Sequence, residues 1–338
     1  MRSIRQVLST VQYTGCDLAR LRDIFKESAF IQVSPDDSKG IAEALKEADV
    51  AVLDADLDDR ILSGKKLRWI HCNHAGLARS ARPEIFERGI ILTGSAGRSA
   101  PVLAEHAIFF MLNACYHARE LAAAHQSHRW GVPKMENWRG LFGRTAGIVG
   151  MGNTGRALAE RLHVLGMNVI VYDRYRIEDY PFADRWLDAS RGDSLDVLLS
   201  RADFVILCIA LTDDTWHLID EKAFRGMKEQ AVLVNIARGE LVDTAALLRA
   251  LDSGLISCAG LDVFEQEPLP PDDPLWDHPN VYITPHVTPQ VPSRAGRCLD
   301  IIEENVRRYI NEEPMLNRVG PGDVYTHDIP ARKSIKKT

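Results

Sequence analysis

The sequence predicts an α/β fold of two domains, each a parallel sheet with helices on both faces. Apolar segments typical of strands alternate with helical patterns along most of the chain, which favours parallel sheets covered by helices. The 338 residues are enough for about two domains. The strand–helix alternation restarts near residue 145 after a polar stretch, as expected where a second sheet begins.

The first series of segments occupies the first hundred residues. Its strands are predicted at 7–11, 50–53, 68–72 and 90–93, and its helix at 18–27. One long helix is predicted over 100–124. The polar stretch 125–143 reads as an ordered connection before the second sheet.

The second series supplies six strands. They are predicted at 146–149, 169–172, 204–208, 231–235, 258–261 and 281–284. A last helix, predicted over 293–310, is expected to complete the first domain. The predicted domains are therefore residues 1–100 plus 290–338, and residues 101–289.

Composition and charge argue against several classes of protein. The formal net charge of −6 provides no global basic field for nucleic acid or a membrane surface. No apolar run approaches the ~20 residues of a membrane span, and segment 1–11 lacks the core of a secretory signal. The six cysteines form no CxxC pair and read as reduced thiols, which favours a cytoplasmic location. The basic cluster at 332–337 reads as a solvated tail.

A glycine motif follows the first strand of the second series. In TAGIVGMGNTGRALAERL, Gly150, Gly152 and Gly155 are spaced as GxGxxG between a strand and a helical pattern. The first would permit a tight turn, the second a close approach to a pyrophosphate, and the third helix–strand packing. Asn153 and Thr154 fall in the same loop, where a helix N-terminus offers N–H groups to phosphates. The motif predicts a Rossmann domain that binds a dinucleotide; the alternative is a glycine-rich turn with no ligand.

Cofactor preference depends on the end of the next strand. Asp173 in VYDRY lies where a carboxylate could accept hydrogen bonds from the adenosine ribose and repel a 2′-phosphate, which favours NAD. Arg174 and Arg176 could instead bind such a phosphate, so strict preference between NAD and NADP stays open.

Three later motifs place chemically useful side chains near predicted strand ends. They are VNIARGELVD with Arg238, GLDVFEQEP with Asp262, Glu265 and Glu267, and ITPHVTP with His286. Reduction of a 2-keto acid needs a cation for the carboxylate and carbonyl, a proton donor, and a group that orients the donor. Arginine, histidine and a carboxylate suit these three roles.

Together these motifs resemble the D-isomer-specific 2-hydroxyacid dehydrogenases, a family that includes glyoxylate/hydroxypyruvate reductases and D-3-phosphoglycerate dehydrogenases. The resemblance covers most of the chain, through LRWIHCNHAGL, GRSAPVLAEHAI, WRGLFGRTAGIVGMGNTGR, ALTDDTWHLID, MKEQAVLVNIARGELVD, GLDVFEQEPLP, PNVYITPHVT and LNRV. It implies Arg238 as substrate anchor, His286 as acid–base, and Glu267 as the partner of His286. The implied reaction is hydride transfer between NAD(H) and a small 2-keto or D-2-hydroxy acid such as glyoxylate or hydroxypyruvate.

The resemblance also implies the binding residues around this reaction. Asp262 would contact the nicotinamide carboxamide, and Ala237 would belong to the cofactor site. The backbone at Ala75 and Gly76 would bind the substrate carboxylate. The two Rossmann-like domains would hold the active site in the cleft between them, and the region of helix 100–124 would make a two-fold contact, which implies a homodimer.

Two departures from the family pattern and several alternatives bear on function. Val287, Thr288 and Pro289 follow His286 where the family has small residues, and Ala210 stands where the family often has proline. A corepressor-like module that binds NADH without turnover is the alternative from another class. Formate dehydrogenases carry glutamine at the position of Glu267, which argues against that activity.

An acidic loop bears on the remaining alternative, D-3-phosphoglycerate dehydrogenase. The stretch DADLDD, residues 54–59, follows the strand predicted at 50–53. A carboxylate near a phosphate is unfavourable, so we expect a phosphorylated acid to be a poor substrate. These aspartates could instead face solvent, and Arg79 or Arg98 could supply a cation.

Overall fold

The structure of the protein is a computed structural model that describes residues 1–178, 180–287 and 291–327. These residues form two compact units. Unit 1 comprises residues 1–99 and 291–327, and unit 2 comprises the described residues from 100 to 287. The basic cluster at 332–337, Thr288 and Pro289 lie outside the described residues. None of the helices in the described ranges combines the length and the hydropathy of a membrane span.

Unit 1 is built on a six-stranded sheet in the order β2-β1-β3-β4-β5-β13, numbered along the chain. The strands are β1 Gln6–Ser9, β2 Ala29–Gln32, β3 Val50–Leu53, β4 Trp69–Cys72, β5 Ile91–Gly94 and β13 Arg318–Val319. All pairs are parallel except β13 with β5. The helices are α1 Gly15–Ile24, α2 Ser38–Leu45, α3 Pro83–Glu87 and α10 Arg294–Asn311. Strands β2 and β13 and helices α2 and α3 were not predicted from the sequence, and β2 is a short, partly exposed edge strand.

Both faces of the unit 1 sheet are covered, because alternate strand side chains point to opposite sides. Leu8 and Ile70 cluster with residues of α2 on one face. On the other face, Trp69 stacks on Tyr309 of α10, with ring centroids 5.3 Å apart. Helix α10 thus completes the core of a unit whose other helices precede residue 88.

Unit 2 contains a seven-stranded, fully parallel sheet in the order β8-β7-β6-β9-β10-β11-β12. The strands are β6 Thr145–Val149, β7 Asn168–Asp173, β8 Arg185–Asp188, β9 Phe204–Leu207, β10 Ala231–Asn235, β11 Ile256–Leu261 and β12 Val281–Ile283. The helices are α4 Ala100–Cys115, α5 Ala118–Gln126, α6 Asn153–Val164, α7 Leu195–Leu199, α8 Glu221–Gly226 and α9 Thr244–Asp252. This is the strand order of a Rossmann sheet with one additional strand.

All six strands predicted for this sheet are present, but the prediction of six in total is wrong. The strand that was not predicted, β8, pairs with β7 at the sheet edge and has only Trp186 and Leu187 as apolar residues. An apolar pair inside a polar segment gives no strand periodicity, so the sequence does not reveal β8.

The single helix predicted over 100–124 is also wrong, because the chain breaks between α4 and α5. His117 adopts a left-handed conformation with φ 45°, and its ring stacks on Trp138, with centroids 4.9 Å apart. Neither glycine nor proline marks the break, so the helical pattern appears continuous in the sequence.

All six cysteines lie in the described residues and are unpaired thiols. Cys72 and Cys258 are buried, and burial raises the pKa of each thiol to about 12. These thiols therefore stay protonated and act as small apolar side chains, consistent with their interpretation as reduced core residues.

Candidate active site

The glycine loop joins β6 to α6, and each of its three glycines meets a different environment. Gly150 has φ 96°, and a Cβ on it would lie 2.7 Å from backbone atoms of Ile209. A Cβ on Gly155 would lie 2.1 Å from the Gly150 carbonyl oxygen. Within the described chain, a Cβ on Gly152 would meet no atom within 4 Å. Gly150 and Gly155 are thus required by packing. Gly152 instead leaves the N-terminus of α6 open, which fits a pyrophosphate.

Asp173 ends β7 beside this loop. One of its carboxylate oxygens accepts from the Met151 N–H, and the other accepts from the Tyr175 N–H at 3.1 Å. The carboxylate is therefore tied to the backbone between the first two glycines, where it could also accept from ribose hydroxyls. The nearby arginines have acidic neighbours: Arg174 lies 3.8 Å from Asp214, and Arg176 lies 3.8 Å from Glu178.

Arg238 follows β10 in a loop that Asn235 holds in shape. The buried Asn235 side chain donates to the Arg238 carbonyl oxygen at 2.8 Å and accepts from the Ala237 N–H at 3.1 Å. The half-buried Arg238 side chain donates to the Ala237 carbonyl oxygen. The guanidinium is thereby held at the carboxyl end of β10, where ligands bind in open α/β sheets.

Gly239 brings the Arg238 loop against the loop that follows β11. A Cβ on Gly239 would lie 1.9 Å from the Phe264 carbonyl carbon, so the two backbones touch at a position that admits no side chain. The Phe264 N–H in turn donates to Glu267 Oε1 at 3.0 Å. The loops after the neighbouring strands β10 and β11 are therefore joined by direct backbone packing.

Glu267 and His286 form a hydrogen-bonded pair. Glu267 Oε2 lies 2.7 Å from His286 Nδ1, and the side chains are 11% and 38% exposed, respectively. Because a carboxylate only accepts, Nδ1 carries a hydrogen and Nε2 is the nitrogen directed at other partners. A partly buried carboxylate thus orients an imidazole that reaches the surface.

Asp262 organises the backbone around His286. It is buried, and its Oδ1 accepts from the Thr284 hydroxyl at 2.6 Å and from the Val287 N–H at 3.1 Å. The His286 N–H donates to the carbonyl oxygens of Asp262 and Thr284, each at 2.9 Å. The segments after β11 and β12 are thus fixed to each other on both sides of the histidine.

The structure separates the roles of the two glutamates in FEQEP. Glu265 pairs with His217 at 2.6 Å, and its other oxygen accepts from the Thr244 N–H at 3.1 Å. Glu267 pairs with His286 instead. The chain therefore contains two histidine–glutamate pairs in one region, and among the described residues no group of three His, Cys, Asp or Glu could hold a metal ion.

In unit 1, Ala75 and Gly76 form a turn after β4, where Gly76 has φ 75°. The preceding carbonyl oxygen, of His74, accepts from the Ser95 N–H at 2.9 Å. Below the turn, the buried His71 ring bonds the hydroxyls of Thr93 and Ser95 at 2.9 and 3.0 Å, respectively. Burial lowers the pKa of His71 to about 3, so the imidazole is neutral. The turn rests on an uncharged hydrogen-bond network.

The acidic loop at 54–59 is largely paired. Its pairs are Asp54 with Asn73 at 3.5 Å, Asp56 with Ser80 at 2.8 Å, Asp58 with Arg60 at 2.8 Å and Asp59 with Arg82 at 2.8 Å. The Arg60 guanidinium lowers the pKa of the Asp58 carboxyl. Two of the four charges therefore have arginine partners, which weakens the expected repulsion of a phosphate.

Three residues that shape the site were not assigned roles from the sequence. Asn235 and Thr284 end or follow apolar strands, where a polar side chain is a usable signal for a site at a sheet edge. His106 lies on α4, and its Nε2 is 3.0 Å from the Thr284 hydroxyl. Its motif, AEHAI, contributed to the resemblance, but its spacing along the chain gives no hint of this partner.

The Rossmann sheet, the open glycine loop and the histidine–glutamate pair define a nicotinamide-dependent dehydrogenase. The model of the D-isomer specific 2-hydroxyacid dehydrogenase NAD-binding domain matches residues 108–288. The chain is 35% identical over 295 residues to a glyoxylate reductase of Korarchaeum cryptofilum, covering 86% of this chain and 88% of that protein. This chain belongs to the D-isomer-specific 2-hydroxyacid dehydrogenase family and is an NAD-binding oxidoreductase.

Two further relatives are similar to this chain over most of its length. A Yersinia pestis glyoxylate/hydroxypyruvate reductase B is 33% identical over 312 residues, covering 91% of this chain and 95% of that protein. The D-isomer specific 2-hydroxyacid dehydrogenase from Xanthobacter autotrophicus Py2, solved with NADPH and MES, has a TM-score of 0.79 and 25% identity, covering 95% of this chain and 99% of that chain. Similarity therefore extends well beyond the cofactor domain.

Proposed function

We propose that this enzyme reduces a small 2-keto acid with one carboxylate, such as glyoxylate or hydroxypyruvate, using NADH. The observation that carries the proposal is the Glu267–His286 pair, 2.7 Å apart, on loops joined to that of Arg238. This arrangement combines a proton donor, its orienting carboxylate and a cation. Relatives named for glyoxylate and hydroxypyruvate reduction support the choice of substrate.

Each side chain of this group has a distinct role in the proposed reaction. Arg238 binds the substrate carboxylate and polarises the carbonyl through its planar fork of N–H groups. His286 delivers a proton from Nε2 to the carbonyl oxygen as negative charge develops there. Glu267 holds Nδ1–H, keeps the ring oriented and stabilises its protonated form. The nicotinamide, when bound, supplies the hydride.

The remaining contacts with cofactor and substrate are assigned from the positions of the residues in the fold. Gly150, Gly152, Asn153, Thr154 and Gly155 would hold the pyrophosphate, and Asp173 the adenosine ribose. Ala237 and Asp262 would contact the nicotinamide end, with Asp262 receiving the carboxamide. The backbone at Ala75 and Gly76 would bind the substrate carboxylate. Unpaired, mostly buried thiols favour work in the cytoplasm.

Substrate choice is tested by steady-state kinetics with NADH and glyoxylate, hydroxypyruvate or 3-phosphohydroxypyruvate. We expect turnover of the first two and a lower kcat/KM for the phosphorylated acid, because Asp54 and Asp56 lack an arginine partner in their described bonds. Low ionic strength keeps this repulsion least screened. NADH binding without turnover would instead indicate a regulatory module. A higher kcat/KM for the phosphorylated acid would indicate a phosphoglycerate dehydrogenase.

Cofactor preference provides the next prediction. Wild type should prefer NADH to NADPH, and Asp173→Asn should reduce the ratio of the two kcat/KM values by about tenfold because the carboxylate no longer repels a 2′-phosphate. Asparagine retains a side-chain oxygen for the Met151 N–H, so the glycine loop keeps its tie. A wild-type preference for NADPH would mean that Arg174 or Arg176 dominates.

We also propose a homodimer. Phe109 and Leu112 are exposed apolar side chains on one side of α4, Tyr116 is exposed directly after that helix, and Leu121 is exposed on α5. Light scattering at micromolar concentration should give the mass of two chains, and Leu112→Glu should shift it toward one. Val164→Glu changes an exposed apolar residue on α6 and should leave the mass unchanged. A monomeric wild type would contradict the proposal.

A further inference from the structure

A buried histidine of α4 is connected to the nicotinamide end of the proposed site by hydrogen bonds. His106 Nε2 lies 3.0 Å from Thr284 Oγ1, and this hydroxyl lies 2.6 Å from Asp262 Oδ1. The His106 ring is buried and stacks on Phe110, with centroids 4.9 Å apart. His106 precedes residues 108–288, the segment that the family's NAD-binding model matches.

The hydrogen-bond geometry determines which way the protons point. Asp262 Oδ1 accepts from the Val287 N–H as well as from Thr284, as expected for an ionised carboxylate. The Thr284 hydroxyl hydrogen is therefore directed at Asp262, and its oxygen must accept from His106. Consequently His106 carries its hydrogen on Nε2.

The other ring nitrogen agrees with this assignment. His106 Nδ1 is buried and has no hydrogen-bond partner among the described residues. A hydrogen on Nδ1 would be a buried, unsatisfied donor, which is unfavourable. Burial also lowers the pKa of His106, against a smaller opposing effect of Asp262. The ring is thus a neutral, one-directional donor.

We propose that His106 is a positioning residue that, through Thr284, fixes the carboxylate of Asp262 for the nicotinamide carboxamide. This inference rests on the proposed role of Asp262 in the cofactor site. Without the Nε2–H donor, the Thr284 hydroxyl can rotate, and Asp262 Oδ1 loses a fixed partner. The Asp262 and Thr284 carbonyl oxygens also accept from the His286 N–H. The same residues therefore support the segment that carries the proton donor.

The first test is the protonation of His106 in the protein without cofactor. ¹⁵N-labelled imidazole spectra at neutral pH should show His106 with a protonated Nε2 and an unprotonated Nδ1, identified by the loss of its signals in His106→Gln. Thr284→Val should change the Nε2 shift while the ring stays neutral. A hydrogen on Nδ1, or a doubly protonated ring, would overturn the proposal independently of any catalytic result.

The second test compares two ligands, NADH and ADP-ribose, which lacks the nicotinamide. His106→Leu should loosen the hydrogen bond from Thr284 to the Asp262 carboxylate, and Thr284→Val should remove it. Each variant should therefore weaken NADH binding about tenfold, the size expected for one hydrogen bond to a charged group. ADP-ribose binding should be unchanged. The double variant should bind NADH no more weakly than either single variant, because both substitutions interrupt the same series of hydrogen bonds from His106 through Thr284 to Asp262.

His106→Gln provides the rescue, since its amide can donate to Thr284, and it should bind NADH more tightly than His106→Leu. Equal weakening of NADH and ADP-ribose, or no weakening of either, would overturn the positioning role. A wild type that binds ADP-ribose but not NADH, or neither, would overturn the proposed cofactor site itself, a result distinct from failure in the variants alone.

Discussion

Arg238→Ala should lower kcat/KM for glyoxylate or hydroxypyruvate by about a thousandfold or more. The substitution removes the cation proposed to hold the substrate carboxylate and to polarise the carbonyl. Both losses act on the transition state, and carboxylate binding is lost in the ground state as well. KM should therefore rise while kcat falls, and steady-state kinetics with saturating NADH measures both.

Arg238→Lys is the informative companion variant. Lysine keeps the positive charge but not the planar fork, so its kcat/KM should fall between those of wild type and Arg238→Ala. NADH affinity, followed by fluorescence, should change little in either variant. A kcat/KM for Arg238→Ala within tenfold of wild type would contradict the anchor role.

His286→Ala should lower kcat by about a hundredfold to ten-thousandfold, the range expected for loss of general acid–base catalysis. NADH should still bind, because the loss is in proton transfer rather than in cofactor recognition. Stopped-flow measurement of NADH oxidation separates the chemical step from product release. Turnover within a few-fold of wild type would show that another group supplies the proton.

The two histidine–glutamate pairs provide a matched control for this prediction. Glu267→Gln removes the negative charge beside His286 and should lower kcat markedly. Glu265→Gln removes the same charge from the same loop, but beside His217, and should affect kcat much less. Equal loss of kcat in both variants would indicate that the loop is damaged, not that the proton donor has lost its partner.

The sequence revealed the parts of the fold that depend on local pattern. Strands such as β9 and β10 are fully buried and mostly apolar, and their prediction is confirmed. Strand β8 and the break at His117 depend on tertiary pairing and ring stacking, which leave no periodic signal. Local pattern therefore predicted six strands of the Rossmann sheet and failed only at the edge strand β8.

The site shows the same division. Arg238, Glu267 and His286 could be proposed from chemistry and family motifs, because each residue type matches a chemical need. Their supporting contacts could not be predicted. Asn235 bonds to its own loop, whereas His106 and Thr284 bond to partners that lie far away in the sequence. The DADLDD loop likewise looked uniformly acidic until Arg60 and Arg82 proved to pair with it.

The contact between Gly239 and Phe264 limits how this enzyme could be redesigned. Because the two backbones touch, the loop bearing the anchoring arginine cannot move closer to the loop bearing Glu267, and any side chain in place of Gly239 would force the two loops apart. Engineering the enzyme to accept other substrates by widening this junction would displace the anchoring arginine relative to Glu267. Such variants would lose activity as well as selectivity. Variation should be directed to side chains outside this junction, so that the reacting groups stay in place.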